Sequence, residues 1–240
     1  MKTAVIGLPQ VGKTSLFKIL TGMVRESRLG RTAVQVGVTQ VPDHRLDELA
    51  HLFDLPKITR ATVEYADMPA LSKEALRNTA YIDSLRRVDA FLHVLRFFED
   101  ETVMHTEGSL NAERDWRSLE IELILSDLEV VEKRLERVEK DIKHVNNPQL
   151  LKEKALLLTC KEALEAEHPL REIDWGPVDK KMLRGFQFLS EKPMLLVLNL
   201  GESQAGQLEQ IEKEYATKWL SKRKNLGVAA VCGSVESEIA

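Results

Sequence analysis

Little in this 240-residue sequence is extreme. It has only two cysteines, Cys160 and Cys232, far apart and without ligand-like spacing. That excludes a disulfide framework and a cysteine metal site, and it fits a reduced, cytoplasmic compartment. No apolar run approaches the roughly 20 residues of a membrane span. The N-terminal run, Ala4 to Ile6 before Gly7, is too short for a signal peptide, so no membrane partner is expected. The formal net charge is −4, so no global field draws the chain toward nucleic acid or an anionic surface. Any such contact needs a local basic patch. With 43% hydrophobic and 30% charged residues the composition is that of an ordinary globular protein.

What is present begins at the amino terminus. Gly7-Leu8-Pro9-Gln10-Val11-Gly12-Lys13-Thr14 fits G-x-x-x-x-G-K-[ST] at every fixed position. "TAVIG" before it is a β-branched strand. "KTSLFKILTG" after it puts Leu16, Phe17, Ile19 and Leu20 on a helical face and stops at Gly22. Strand, glycine loop and helix give the motif its meaning. Gly7 and Gly12 allow close backbone approach, and the loop N–H groups, through Ser15, converge on phosphate oxygens at the positive end of the helix. Lys13 reaches the β- and γ-phosphates, and the Thr14 hydroxyl is placed to ligate Mg²⁺.

Further along, residues 23–33 read as a basic loop with Arg25, Arg28 and Arg31. "TAVQVGVTQV" and "RATVEYADMP" read as strands, and "PDHRLDELAHLFDLP" between them as a helix. "SKEALRNTAYIDSLRRVD" reads as one helix with Ser72 as its N-cap. "AFLHVLRFF" is a strand buried on both faces. From Asn111 the sequence runs without glycine or proline to the break at Asn146-Asn147-Pro148. Leu119, Leu123, Leu128, Val131, Leu135, Val138 and Ile142 trace one apolar stripe. A second helix, "QLLKEKALLLTCKEALEAE", completes an antiparallel hairpin. "KPMLLVLNL", a helix from Ser203 and "VAAVCGS" close the chain. The fold expected is α/β: a P-loop G-type domain with a mostly parallel, doubly wound sheet, residues 1–110 and 191–240, interrupted by a helical hairpin over 111–190.

In P-loop switch proteins a late strand delivers Asn-Lys-x-Asp, whose Asp pairs with two guanine donors. Here "MLLVLNL" ends in Asn199-Leu200-Gly201-Glu202. The lysine is absent and the acid is one methylene longer, so the paired bonds to guanine are lost. That favours adenine or a weak base preference.

At these residues the chain resembles the YchF / Obg-like ATPase family of TRAFAC P-loop proteins. The stretches that carry the likeness span essentially the whole chain: "VIGLPQVGKTSLF", "VGVTQVPDHRLDELA", "TVEYADMPAL", "VDAFLHVLRFFEDETVMH", "LEIELILSDLEVVEKRLERVEK", "FQFLSEKPMLLVLN", "NLGE" and "AVCGSVESEIA". The resemblance implies binding of ATP, often as well as or better than GTP, with Mg²⁺, and association with ribosomes. It implies phosphate contacts from Gly7, Pro9, Gln10, Val11, Gly12, Lys13, Thr14 and Ser15. Base contacts would come from Asn199, Leu200 and Glu202, with Cys232, Gly233 and Ser234 beside the base in the last loop. Mg²⁺ would be held by Thr14 and, through water, Asp67. The first-switch threonine falls on Arg31, with Thr32 adjacent as a substitute and a further Mg²⁺ ligand. The helical hairpin is a candidate protein or RNA contact.

This sequence departs from the family at its switches. D-x-x-G becomes Asp67-Met68-Pro69-Ala70, the glycine-rich stretch after it shrinks to "LSKEALRN", and the P-loop Asn is Gln10. The resemblance leads one to expect a β-rich module beyond "ESEIA", where this sequence stops at Ala240; truncation and loss of the module are both open. Three functions follow: a slow ATP- or GTP-hydrolysing switch, a binding-only scaffold that recruits a partner through its hairpin, and a small-molecule kinase. The kinase is disfavoured, since no Arg-rich lid is present.

Overall fold

A computed structural model describes residues 1–23, 34–53, 57–70, 75, 78–100, 108–144, 147–221 and 223–239. The elements follow the chain as β1 (Lys2–Ile6), α1 (Lys13–Thr21), β2 (Gln35–Gln40), α2 (His44–Leu52), β3 (Thr62–Asp67), α3 (Thr79–Arg86) and β4 (Ala90–Arg96). Then come α4 (Ala112–His144), α5 (Pro148–Glu165), α6 (Pro177–Leu183), β5 (Met194–Asn199), α7 (Leu208–Leu220), β6 (Leu226–Val231) and α8 (Gly233–Ile239). The strands form one sheet in the order β2-β3-β1-β4-β5-β6. Only β2 and β3 pair antiparallel; β3-β1, β1-β4, β4-β5 and β5-β6 are parallel.

Every residue of β4 is buried, as a strand covered on both faces requires. Alternation divides its side chains between two layers. Leu92 and Val94 join Val5, Val197 and the α1 residues Leu16 and Phe17 on one face. Phe91 and Leu95 join Ile6, Leu196, Leu85 of α3, Trp116 and Leu119 of α4, and Trp219 of α7 on the other.

The helix pair is as expected in kind. Asn147 caps α5, its side chain accepting from the Gln149 N–H, with Pro148 at the first helical position. Arg134–Glu153, Lys154–Glu139 and Lys161–Glu132 pair across the two helices at 2.6, 2.9 and 3.1 Å. The expected stripe, however, is divided. Leu119 and Leu123 pack in the sheet core, while Val131, Leu135 and Val138 pack with Leu157, Cys160 and Leu164 in a separate hairpin core. Ile124, outside the expected stripe, is buried in that second core; Leu128 and Ile142 are only partly buried. Cys160 and Cys232 are both free and buried. Burial pushes the Cys160 thiol up to about 12, which suits a core residue rather than a reactive one.

Three boundaries differ from expectation. A single helix from Ser72 does not form: α3 is capped at Asn78, whose side chain accepts from Ala80 and Tyr81 N–H at 2.9 and 3.4 Å. Ser72 itself lies outside the described residues. The helix expected from Ser203 opens as a 3-10 turn, Glu202–Gln207, before α7. The loop expected after Cys232 is α8.

Candidate nucleotide site

The glycine loop lies between β1 and α1 at the carboxyl edge of the parallel strands. Gly7 sits at φ +149°, and a Cβ there would come within 2.6 Å of the Val94 carbonyl oxygen. Gly12 sits at φ +94°, and a Cβ there would run into the Asn199 carboxamide. Both positions therefore demand glycine. Gln10 takes a left-handed conformation at φ +61° and is exposed at the loop crest, beside half-buried Pro9. The Lys13 ammonium folds back to donate to the Leu8 carbonyl at 2.6 Å. Burial pulls its pKa down to about 8, with the Asp67 charge opposing the shift. A buried cation with a single carbonyl partner among the described residues suits an incoming phosphate.

The Thr14 hydroxyl donates to Asp67 Oδ2 at 2.8 Å, joining α1 to the end of β3. Asp67 Oδ1 is buried with no hydrogen-bond partner among the described residues. Burial pushes the Asp67 carboxyl up; the Thr14 hydrogen bond and then the charges of Lys13 and Lys18 pull the other way. One hydroxyl and one carboxylate, its Oδ1 orphaned, fit a Mg²⁺ ion whose remaining ligands are water and phosphate. They do not fit a self-sufficient metal centre, and no cluster of three or more His, Cys, Asp or Glu that could hold one exists among the described residues. Thr32, expected as a further ligand, lies outside them, as do Arg25, Arg28 and Arg31.

Asn199 ties the site together. Its Nδ2 donates to the Val11 carbonyl at 3.0 Å, and its Oδ1 accepts from the Gly233 N–H at 3.1 Å. One carboxamide thus braces the glycine loop, the end of β5 and the start of α8. A cleft of about 910 Å³ opens beside it. Of the expected residues, Gly12, Ser15, Asn199, Leu200, Glu202, Gly233 and Ser234 line this cleft. Leu200 is 2% exposed and also packs in the sheet core, while Glu202 is exposed at the rim. Val11 is buried under the loop. Cys232 lies behind the cleft, its sulfur 3.4 Å from the Ser234 hydroxyl.

The cleft has a wall that the motif reading missed. Phe97, Phe98, Glu99 and Asp100, directly after β4, line it beside the base motif, where the Phe97 N–H donates to the Asn199 carbonyl at 2.9 Å. The Arg96 guanidinium stacks 4.6 Å from the Phe98 ring centre and donates to the Phe98 and Asp100 carbonyls, fixing that segment. The signal was in the sequence: an aromatic pair following a fully buried parallel strand falls where such sheets bind ligands.

Glycine loop, Thr14–Asp67 link and carboxyl-edge cleft on this sheet define a P-loop domain of the GTPase type. Residues 2–161 match the family model for 50S ribosome-binding GTPase. Over all of its length the chain is 32% identical to ribosome-binding ATPase YchF of Bacillus subtilis (strain 168), spanning 67% of that protein. It is 33% identical over 210 residues to Obg-like ATPase 1 of Oryza sativa subsp. indica, covering 84% of this chain and 53% of that one. The solved structure of the Schizosaccharomyces pombe YchF GTPase matches the whole chain at a TM-score of 0.78 and 24% identity, over 67% of its own length. The chain belongs to the YchF / Obg-like ATPase family.

Proposed function

We propose that this chain binds a purine nucleoside triphosphate with Mg²⁺, takes ATP at least as readily as GTP, hydrolyses it slowly and works on the ribosome in the cytoplasm. The observation that carries the reading is the joining of the glycine loop to the cleft: Asn199 bonds the Val11 carbonyl, Gly12 and Ser15 line the cleft, and Thr14 between them in sequence meets Asp67. Bound Mg²⁺ supplies charge neutralisation at the phosphate oxygens. Lys13 would hold the phosphate tail and Thr14 with Asp67 the ion, while Leu200, Glu202, Gly233 and Ser234 would frame the base. The ribosome enters through the names of the relatives, which are ribosome-binding ATPases. No helix among the described residues is long and apolar enough to cross a membrane.

One observation favours the second reading, a binding-only scaffold. The switch segment after Asp67 is pinned: Met68 is buried in the sheet core and its N–H donates to the Val5 carbonyl at 3.2 Å. The Pro69 carbonyl accepts from the Tyr81 hydroxyl at 3.3 Å. A segment held this way resists the rotation that brings a backbone N–H to a γ-phosphate.

Calorimetric titration of ATP and GTP with Mg²⁺, followed by phosphate release, tests both. ATP binding at least as tight as GTP supports the base assignment, and a clear GTP preference overturns it. Measurable turnover selects the switch; tight binding with no release selects the scaffold.

A further inference from the structure

At the amino edge of β4 and β5, the end of the sheet opposite the nucleotide cleft, lies a recess of about 410 Å³. Arg86 and Arg87 from the end of α3, Lys180 of α6, Arg184 just after it, and Lys192 before β5 line it, against only two carboxylates, Asp89 and Glu191. In a chain of net charge −4 this is a local inversion of sign.

Two of the five cations are fixed in place. Lys192 donates to the Arg86 and Val88 carbonyls at 3.0 and 2.6 Å. Arg86 pairs with buried Asp127 at 3.1 Å and donates to the Gln187 carbonyl at 3.2 Å; Gln187 adopts a left-handed φ of +52°. The other three, Arg87, Lys180 and Arg184, are exposed and have no salt bridge among the described residues. Of the opposing carboxylates, one is already engaged and the other is weakened. Asp89 accepts the Lys2 backbone N–H at 2.7 Å, and burial pushes the Glu191 carboxyl toward its neutral form.

The recess gives a partner almost nothing apolar to bury. Val88 and Phe188 are 3% and 1% exposed, so only Pro193 is an available apolar surface. Protein interfaces draw their affinity from aromatic and aliphatic anchors in pockets, and none stands here. Preorganised arginine forks and ammonium groups without apolar anchors match phosphate oxygens instead.

We propose that this recess of Arg86, Arg87, Lys180, Arg184 and Lys192 docks the phosphodiester backbone of RNA. It extends the ribosome reading above, which supplies the source of the RNA, and it places the contact away from both the nucleotide cleft and the hairpin tip. Because Arg86 also holds Asp127 of α4, the docked backbone presses on the joint between α3, α4 and β5.

The test is fluorescence anisotropy of a labelled 20-base-pair RNA duplex with the whole chain, over a series of NaCl concentrations. The triple variant Arg87→Glu, Lys180→Glu, Arg184→Glu is expected to bind about tenfold or more weakly, and its log K against log salt slope is expected to fall by about three, one for each phosphate no longer neutralised. Arg184→Glu alone loses about one unit of slope. ATP affinity and the urea midpoint stay at wild-type values in both, since none of these side chains touches the cleft or a core. Unchanged RNA affinity or slope in the triple variant overturns the proposal. So does a wild type that binds a polyglutamate peptide but not RNA, which would hand the recess to an acidic protein. Loss of ATP binding in the wild type would strike the nucleotide reading and leave this one standing.

Discussion

Lys13 holds a charge in a place that disfavours charge. Its folded pKa, about 8, is below the ordinary 10.5, with burial as the main cause. Between those two values the unfolded chain binds more protons than the folded one, so stability rises as pH climbs from about 8 to 10.5, and below 8 the full penalty is present. That penalty is on the order of 3 kcal/mol. Lys13→Met is therefore expected to raise the melting temperature at pH 7 by a few degrees in a thermal scan without nucleotide, while ATP binding disappears from calorimetry. A variant that keeps ATP affinity would remove the phosphate role. The wild type has the complementary signature. A bound triphosphate needs the ammonium form, so ATP affinity falls above about pH 8, and binding there takes up a proton that calorimetry in buffers of different ionisation enthalpy would detect. Asn199 works by position. Asn199→Ala leaves the Val11 carbonyl and the Gly233 N–H unpaired, at about 1–3 kcal/mol. The expected result is ATP affinity down about tenfold with the urea midpoint also lowered; unchanged affinity would show that the loops hold their places without it.

At the scale of elements, the segment from β3 to α3 decides turnover. Pro69 fixes its own φ, and Ala70 stands where the family has glycine. With Met68 buried and the Pro69 carbonyl tied to Tyr81, the double variant Pro69→Ala, Ala70→Gly is expected to raise phosphate release about tenfold, because one backbone donor to developing phosphate charge is worth that much or more. ATP affinity should barely change, and release no faster than wild type would place the block elsewhere. The elements legible in the sequence are those whose chemistry constrains backbone directly. The glycine loop, the fully buried strand β4, the largely buried β5 and the break before Pro148 each rest on residues with few alternatives. What escaped was decided by competition between neighbours. The helical pattern of "SKEALRN" runs unbroken into α3, although Asn78, a favoured cap, marks the restart. The seven residues of α8 are too few for a 3.6-residue period to register. The Phe97–Asp100 wall of the cleft has no motif, only its place after a buried strand. The carboxamide of Asn199, expected at the base, also braces the glycine loop and the start of α8, a role no linear pattern displays.

At the scale of the molecule, α4 joins what would otherwise be two bodies. Its 33 residues span about 50 Å. Trp116, Leu119 and Leu123 at one end belong to the sheet core, and Val131, Leu135 and Val138 at the other to the hairpin core. Between them sits Asp127, with no exposed surface. It accepts from the Leu189 and Ser190 N–H groups at 3.0 and 2.7 Å and from the Ser190 hydroxyl at 2.8 Å, and it pairs with Arg86. A helix with no glycine or proline, clamped at its middle by a buried carboxylate, has no cheap place to break. The two cores are then expected to unfold together. Leu157, fully buried in the hairpin core, provides the probe: Leu157→Ala should cost about 2–5 kcal/mol. In a Trp175→Phe background, fluorescence reports the Trp116–Trp219 pair of the sheet core, whose rings lie 5.3 Å apart. The urea midpoint of that signal is expected to move down with the helical circular dichroism, by the same amount. If the dichroism shifts and the tryptophan transition does not, the cores melt separately, and Asp127 is an ornament of the joint rather than its lock.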